Sequence, residues 1–373
     1  MNTAEDTADV VVVGAGAAGL ATAIFAKRLA PALRVVCVDG ATRIGAKILV
    51  SGGSRCNVTN TEVTERDFWG GPSRIVRSVL RAFPAPQTVA FFADLGVRLH
   101  EEEDGKLFPD TNQARDVLEA LLGALRDAGA ELHTGERVTA LTRDEAAFTV
   151  TSTSRQSDIV AASRRYRARA VVLATGGRSL PKTGSDGAGY GFARALGHGY
   201  VETTPALAPL LLGGTRHLAL AGVAHPARLT IRGNDGRATD LDGALLWTHF
   251  GASGPVVLNA SRHWHRAQLE GRQVEVLLNL CPGERFESLE AWLLDQAAAR
   301  PRAQVATALA AKVPAAVAEA WTREAGLDGG TLSHLARDSR RTLIHALLAT
   351  PLDVRDSRGY RFAEVTAGGI PLE

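Results

Sequence analysis

The 373-residue chain is 45% hydrophobic and 22% charged, the proportions of a globular protein with a sizeable core. Its 42 basic and 40 acidic residues leave a net charge of +2, which excludes a general electrostatic pull toward nucleic acid or an anionic membrane. The 3 cysteines, Cys37, Cys56 and Cys281, make no disulfide framework and no metal-ligand spacing, so a reducing cytoplasm and no metal site are expected.

The N-terminus has no basic region ahead of an apolar one, and no stretch is long and apolar enough to span a bilayer. The first element is a run of β-branched residues, Val10–Val13, read as a strand buried on both faces. Gly14-x-Gly16-x-x-Gly19 follows at once. An Ala-rich helix then runs from Leu20 to Leu29 and stops before Pro31. Arg34–Val38 is the next strand, with Asp39 at its end. Each part serves a dinucleotide. Gly14 permits the tight turn, Gly16 lets a pyrophosphate approach, and Gly19 lets helix and strand pack closely. Ala17 and Ala18 open the helix, whose N-terminus offers free N–H groups and a partial positive charge. Asp39, with Gly40 beside it, stands where a carboxylate accepts from ribose hydroxyls.

The stretch 42–60 is rich in glycine, basic and small polar residues, and is expected to be a loop with little to pack in a core. Such a loop lays N–H groups and the charges of Arg43, Lys47 and Arg55 along a cofactor. Helices are expected over 73–83 and 87–95, split by Pro84 and Pro86, and a hairpin over 97–109 turning at Asp104-Gly105. The acidic run Glu101–Asp104 reads as a solvated turn, since neighbouring strand positions point to opposite faces. A periodic helix over 114–128 carries Leu118, Leu121, Leu122 and Leu125 on one face. Strands are expected at 137–141, 147–151 and 166–168, and a separate buried strand at 170–174 running into Ala174-Thr175-Gly176. The basic stretch 164–169 reads as a solvated strand edge.

Glycines at 184–191 precede a short helix that stops at Gly197, and Asp186 is a candidate cap for it. Beyond 202 short strands are expected at 205–213, 227–232 and 241–247, with a hairpin turn at Asn234-Asp235-Gly236. Ser253 is the expected cap of a helix over 255–264, and helices follow at 287–299, 302–311, 314–325 and 332–348.

Several blocks together resemble a family. Lys47-Ile48-Leu49-Val50-Ser51-Gly52-Gly53-Ser54-Arg55-Cys56-Asn57-Val58-Thr59-Asn60 is similar to K-I-x-x-S-G-G-G-R-C-N-x-T-N, the signature of the flavoproteins often called the aminoacetone-oxidase or bile-acid-reductase family. Ser54 stands where that pattern has a third glycine, and it is strained if the position needs positive φ. Lys106–Pro109, the 184–190 block, Leu245–Pro255 (with Trp247 for the usual Phe) and Ala363–Ile370 resemble further blocks of the same family.

The resemblance implies an α/β fold: a Rossmann-like FAD-binding domain of the two-dinucleotide-binding-domain type, with an inserted β-barrel plus helical domain. The expected division is 1–201 with 345–373 for the FAD domain and 202–344 for the insertion, a cap over the ring. It implies an FAD-dependent oxidoreductase acting on a small organic substrate, with NAD(P)H a candidate donor; the near-neutral charge and the lack of a long apolar stretch leave no nucleic-acid or membrane partner expected. Ser51, Gly52, Arg55, Cys56 and Asn57 are placed toward the flavin, Val138 by the adenine, and Ala174, Thr175, Gly176, Gly368 and Gly369 beside the cofactor. Cys56 and His249 are weak catalytic candidates, His249 against an equally plain structural role. Relatives carry a closing block after the last of these stretches, so a chain ending at Glu373 is expected to be a shortened product.

A nicotinamide-only dehydrogenase shares the first motif and explains none of the later blocks. A flavoprotein that handles RNA, and a remnant with impaired flavin binding, are the other readings left open. Neither substrate nor oligomeric state is legible.

Overall fold

The computed structural model describes residues 5–154 and 162–372. Met1 and Glu373, the outer limits of the expected FAD domain, lie outside them, as does 155–161, inside the expected meander. The chain forms two compact units, Met1–Glu202 with Gly368–Glu373, and Thr203–Ala367.

The first unit is built on β1 (Glu5–Val13), α1 (Ala17–Leu29) and β2 (Val35–Asp39). The chain then runs through α2 (Ala46–Ser54), β3 (Thr59–Asn60), α3 (Ser73–Ala82), α4 (Ala85–Asp94), β4 (Leu99–Glu101), β5 (Lys106–Pro109) and α5 (Ala114–Asp127). It continues through β6 (Glu131–Thr134), β7 (Glu136–Arg143), β8 (Phe148–Ser154), β9 (Ala162–Leu173) and α6 (Ala188–Ala195). One six-stranded sheet has the order β6-β2-β1-β9-β8-β7. β6, β2, β1 and β9 are parallel, and β8 and β7 extend the sheet as an antiparallel meander. β1 sits between two parallel neighbours, so Val11 and Val12 are wholly buried, as a central parallel strand requires.

Three local expectations change. The strands expected at 166–168 and 170–174 are one strand, β9, because it pairs with β1 along its length, from Glu5↔Arg165 to Val13↔Leu173. The stretch 42–60 is not all loop: α2 turns helical at Ala46 and buries Ile48 in the core beside Leu118 and Leu121. Pro86 does not split α3 from α4, since it lies in the first turn of α4, where a missing N–H leaves no helical bond unmade. The hairpin turn at 104–105 is as expected, with φ of 60° at Asp104 and 71° at Gly105. The charged stretches are paired: Arg164 with Glu136, Arg167 with Asp144, Arg169 with Asp9, and Glu102 with Arg55.

The second unit opens in β10 (Val201–Ala206), followed by β11 (Leu210–Leu212), α7 (Arg216–Ala219), β12 (Ala224–Gly233), β13 (Ala238–Thr248), β14 (Gly251–Ser253), α8 (Pro255–Leu269) and β15 (Val274–Asn279). Four helices follow, α9 (Phe286–Ala299), α10 (Val305–Leu309), α11 (Ala315–Glu324) and α12 (Arg337–Leu348), and then β16 (Thr350–Leu352), β17 (Val354–Ser357) and β18 (Val365–Gly369). In place of the expected barrel, the strands form a seven-stranded antiparallel sheet in the order β16-β15-β12-β13-β14-β11-β17, with no pairing between its edge strands β16 and β17 among the described residues. Because β16 pairs with β15 and β17 with β11, residues 345–367 belong to this unit, and the return to the first comes at Gly368.

Ser253 does not cap α8. Gly254 holds that position at φ 90°, and a Cβ there would lie 2.7 Å from the Ala244 carbonyl oxygen. Trp247 is buried, donates its indole N–H to His225 Nε2 at 3.1 Å and packs on Trp321. No helix among the described residues is long and apolar enough to cross a membrane.

Candidate functional site

The parallel strands β1 and β9 end side by side, Val13 opposite Leu173, and the chain leaves both through small residues. The Ala174 N–H donates to the Val13 carbonyl at 2.8 Å and the Gly14 N–H to the Val38 carbonyl at 2.8 Å, so the corner is tied to both neighbouring strands. Gly14 turns at φ 104°, and a Cβ on it would meet the Ala174 carbonyl oxygen at 2.5 Å. A Cβ on Gly19 would stand 1.9 Å from the Gly14 oxygen, so α1 packs directly on the turn. Gly16 differs: nothing lies within 4 Å of its Cβ position, which opens on a cavity. The helix that starts there has no side-chain cap. Its first N–H groups therefore face the cavity as anion donors.

The cavity holds about 610 Å³, in the usual range for a ligand site. Gly14, Gly16, Ala17, Ala18, Asp39, Arg43, Lys47, Ser51, Cys56, Asn57, Ala174, Thr175 and Gly176 line it, so most of the expected cofactor contacts meet in one place. Asp39 is held by backbone: its Oδ2 accepts from the Ala15 N–H at 2.7 Å and its Oδ1 from the Ala41 N–H at 2.8 Å. A smaller adjoining cavity of about 70 Å³ is lined by Asp39, Gly40, Arg137, Val138 and Asp186.

The Ser51–Asn57 segment explains its own composition. Ser51 leaves helical geometry, and Gly52, Gly53 and Ser54 follow in the left-handed region, with φ of 54°, 68° and 69°. Ser54 thus occupies a position that favours glycine. Cys56 is also left-handed, at φ 65°, with its N–H closing the loop onto the Ser51 carbonyl at 3.0 Å. Burial pushes the Cys56 thiol above its usual range, against the pull of a hydrogen bond with Ser51, so it is held as the neutral thiol. Such a thiol is a poor nucleophile.

Other expected residues serve the site from behind or stand elsewhere. Arg55 does not line the cavity. Its guanidinium lies 4.2 Å from the centre of the Phe108 ring and pairs with Glu102. Phe108 in turn lies under Gly52, where a Cβ would be 2.7 Å from the ring edge. Gly369 packs under Tyr190, with 2.9 Å from its Cβ position to the ring, while Gly368 is exposed beside it. Asp186 is a structural carboxylate: it accepts from the Ala188 N–H at 3.1 Å and pairs with Arg137. Burial works against its charge, but these two partners hold its pKa below the usual value. His249 lies in the second unit, exposed, edge-on to Phe250.

Ser185, Tyr190, Phe92 and Ile370 line the cavity without having been expected there. The first two sit inside the glycine-rich block at 184–191. Its third glycine, Gly189, is explained by Thr175, whose Oγ1 lies 2.0 Å from the Cβ position. Phe92 and Ile370 carry no sequence signal, since apolar residues on a helix or near a chain end read equally well as core.

The donor set fits FAD. Uncapped N–H groups suit a diphosphate, Asp39 suits a ribose, and the wall from Ile44 to Val58 mixes apolar and small polar groups suited to a flat ring. When bound, FAD supplies two-electron redox chemistry, while the protein supplies binding, orientation and charge.

Comparison with known proteins agrees. The family described as HI0933-like protein Rossmann domain matches residues 8–373. A 3-dehydro-bile acid delta(4,6)-reductase of Clostridium scindens is 30% identical over 365 residues, covering 96% of this chain and 86% of that protein. A ribosomal RNA dihydrouridine synthase of Escherichia coli is 29% identical over 365 residues, covering 97% of this chain and 85% of that protein. Among solved structures, a 3-ketosteroid-delta4-(5alpha)-dehydrogenase from Rhodococcus jostii aligns with a TM-score of 0.46 at 15% identity, covering 98% of this chain and 85% of that one. The chain belongs to the HI0933-like family and is an FAD-dependent oxidoreductase of Rossmann type.

Proposed function

We propose that the protein reduces a carbon–carbon double bond conjugated to a carbonyl in a small organic substrate, with NAD(P)H as hydride source. The observation that carries this reading is the lined cavity at the β1–β9 corner, which combines the glycine turn, Asp39, Lys47 and the Ser51–Asn57 wall. The relatives support the reaction type. A delta(4,6)-reductase acting on a 3-dehydro-bile acid and a synthase making dihydrouridine both saturate a double bond next to a carbonyl.

In this reading the chain's residues divide the work. The free N–H groups at the α1 N-terminus would hold phosphate oxygens, and the glycine turn leaves room for them. Asp39, already oriented by two backbone N–H groups, accepts from ribose hydroxyls with its remaining lone pairs. Ser51, Cys56 and Asn57 position and enclose the ring, and apolar neighbours such as Ile48 and Phe92 keep water from it.

The second reading, a uridine within RNA as substrate, is favoured by two relatives of that name at 29% and 28% identity. The net charge of +2 and the carboxylate partners of Arg164, Arg167 and Arg169 count against it.

The test is anaerobic. Purified protein is examined for flavin absorbance, then mixed with NADH or NADPH, and then with a conjugated enone such as a 3-oxo-Δ4 steroid, or with uridine-containing RNA. Bleaching by the nicotinamide and recovery of colour on adding the enone support the proposal. Recovery with RNA alone moves the substrate to uridine, and protein that stays colourless with added FAD overturns the reading.

A further inference from the structure

Lys47 is the half-buried cation of the cavity wall, and no ion pair joins it to a carboxylate among the described residues. Its side chain reaches inward from α2, half-buried, and its Nζ donates to Ser179 Oγ at 3.3 Å. Among the described residues no carboxylate stands within salt-bridge distance of it, and burial alone pulls its pKa down. Arg43, the other cation on the wall, is exposed and solvated. A half-buried ammonium without an anion is unfavourable unless something bound supplies the charge.

In the proposed reading the diphosphate already has the uncapped N–H groups at the start of α1. Nothing, Lys47 included, comes within 4 Å of the Cβ position of Gly16, where a diphosphate approaches. Lys47 Nζ instead lies 3.8 Å from the Cβ position of Gly176, and its helix runs directly into the wall of Ser51, Cys56 and Asn57.

We infer that Lys47 supplies the positive charge that offsets the negative charge the bound isoalloxazine acquires on reduction, and so raises its potential. Transfer of a hydride, two electrons and one proton, from a nicotinamide donor leaves the donor a cation and adds one negative charge to the ring. A fixed ammonium facing that ring favours the reduced form over the oxidised one, an interaction strengthened where water is excluded. Lys47 is here a positioning and charge-tuning residue; the inference rests on the FAD reading.

The experiment compares wild type, Lys47→Met, Lys47→Gln and Lys47→Arg. Affinity for oxidised FAD is read by fluorescence titration, and midpoint potential by equilibration with a reference dye. The two neutral variants are expected to bind reduced FAD at least tenfold more weakly relative to oxidised FAD, a fall of about 30 mV for a two-electron couple. Lys47→Arg is expected to keep most of the wild-type potential. Equal weakening of both oxidation states, with the potential unmoved, would show a diphosphate partner and overturn the inference. An unmoved potential with unmoved affinity overturns it also. Should Lys47→Met not fold, Lys47→Gln decides by the same readout. Wild-type protein that takes up no FAD refutes the parent reading, a result separable from an unmoved potential.

Discussion

The Ala15 N–H donates to the carboxylate of Asp39 at 2.7 Å, joining the glycine turn after β1 to the end of β2. The same carboxylate accepts from the Ala41 N–H at 2.8 Å. One side chain therefore braces the glycine turn and, in the proposed reading, accepts from a ribose hydroxyl. Asp39→Ala removes both functions. Hydrogen bonds to a charged group contribute about 1.5–3 kcal/mol, so FAD affinity should fall by about ten- to a hundredfold. Asp39→Asn, which keeps one acceptor oxygen, should lose less. Calorimetric titration with FAD checks both, and unchanged affinity in Asp39→Ala would remove Asp39 from the site.

Ser54 sits exposed at φ 69°, following two left-handed glycines. A left-handed non-glycine residue costs about 1–2 kcal/mol, and the exposed side chain has little packing to lose. Ser54→Gly should therefore stabilise the protein by up to about 1 kcal/mol after the added chain entropy of glycine is subtracted. Gly52→Ala should do the opposite, because its Cβ would meet the Asn57 nitrogen and the Phe108 ring at 2.7 Å. Thermal midpoints of the two variants should move in opposite directions.

Trp247 stands where the family pattern has Phe, and its indole N–H is bonded to His225 at 3.1 Å. Trp247→Phe leaves a void against Trp321 and a buried imidazole nitrogen without its donor. A loss of about 2–4 kcal/mol follows from the two effects together. Denaturant unfolding should show it as a lower midpoint. Adding His225→Phe should recover part of the loss if the unpaired nitrogen is a main cause.

Burial, reinforced by the neighbouring Arg262 charge, depresses the His263 pKa to about 4 from the ordinary 6.5. The folded state thus resists a proton that the unfolded chain accepts. The stabilisation from the neutral ring is complete above pH 6.5, declines as pH falls toward 4, and is flat below. His263→Gln should reduce the slope of the stability profile within that window, to which His225 and His265, also depressed by burial, still contribute, and leave the slope near neutrality unchanged. Urea midpoints measured across the window test this, and an unaltered slope would count against it.

What could be read directly from the residues is what is local in the chain. The strand, glycine turn, helix and acid of 10–39 specify one another within a single βαβ unit, because each glycine answers to a neighbour a few residues away. The 104–105 turn and the 234–236 hairpin were legible for the same reason. The Ser54 strain was legible once the glycine pattern around it was recognised.

Tertiary structure decided the rest. Whether 166–168 and 170–174 are two strands or one depended on β1 lying alongside both. Whether Arg55 faces the cavity or Phe108 depended on β5, about fifty positions away in the chain, and the fate of 345–367 depended on pairing with β11 and β15. Lys47 was visible as a charge in a motif. Only the packed wall showed that it is half-buried with no carboxylate beside it among the described residues, because solvation and counter-charge are set by residues distant in sequence.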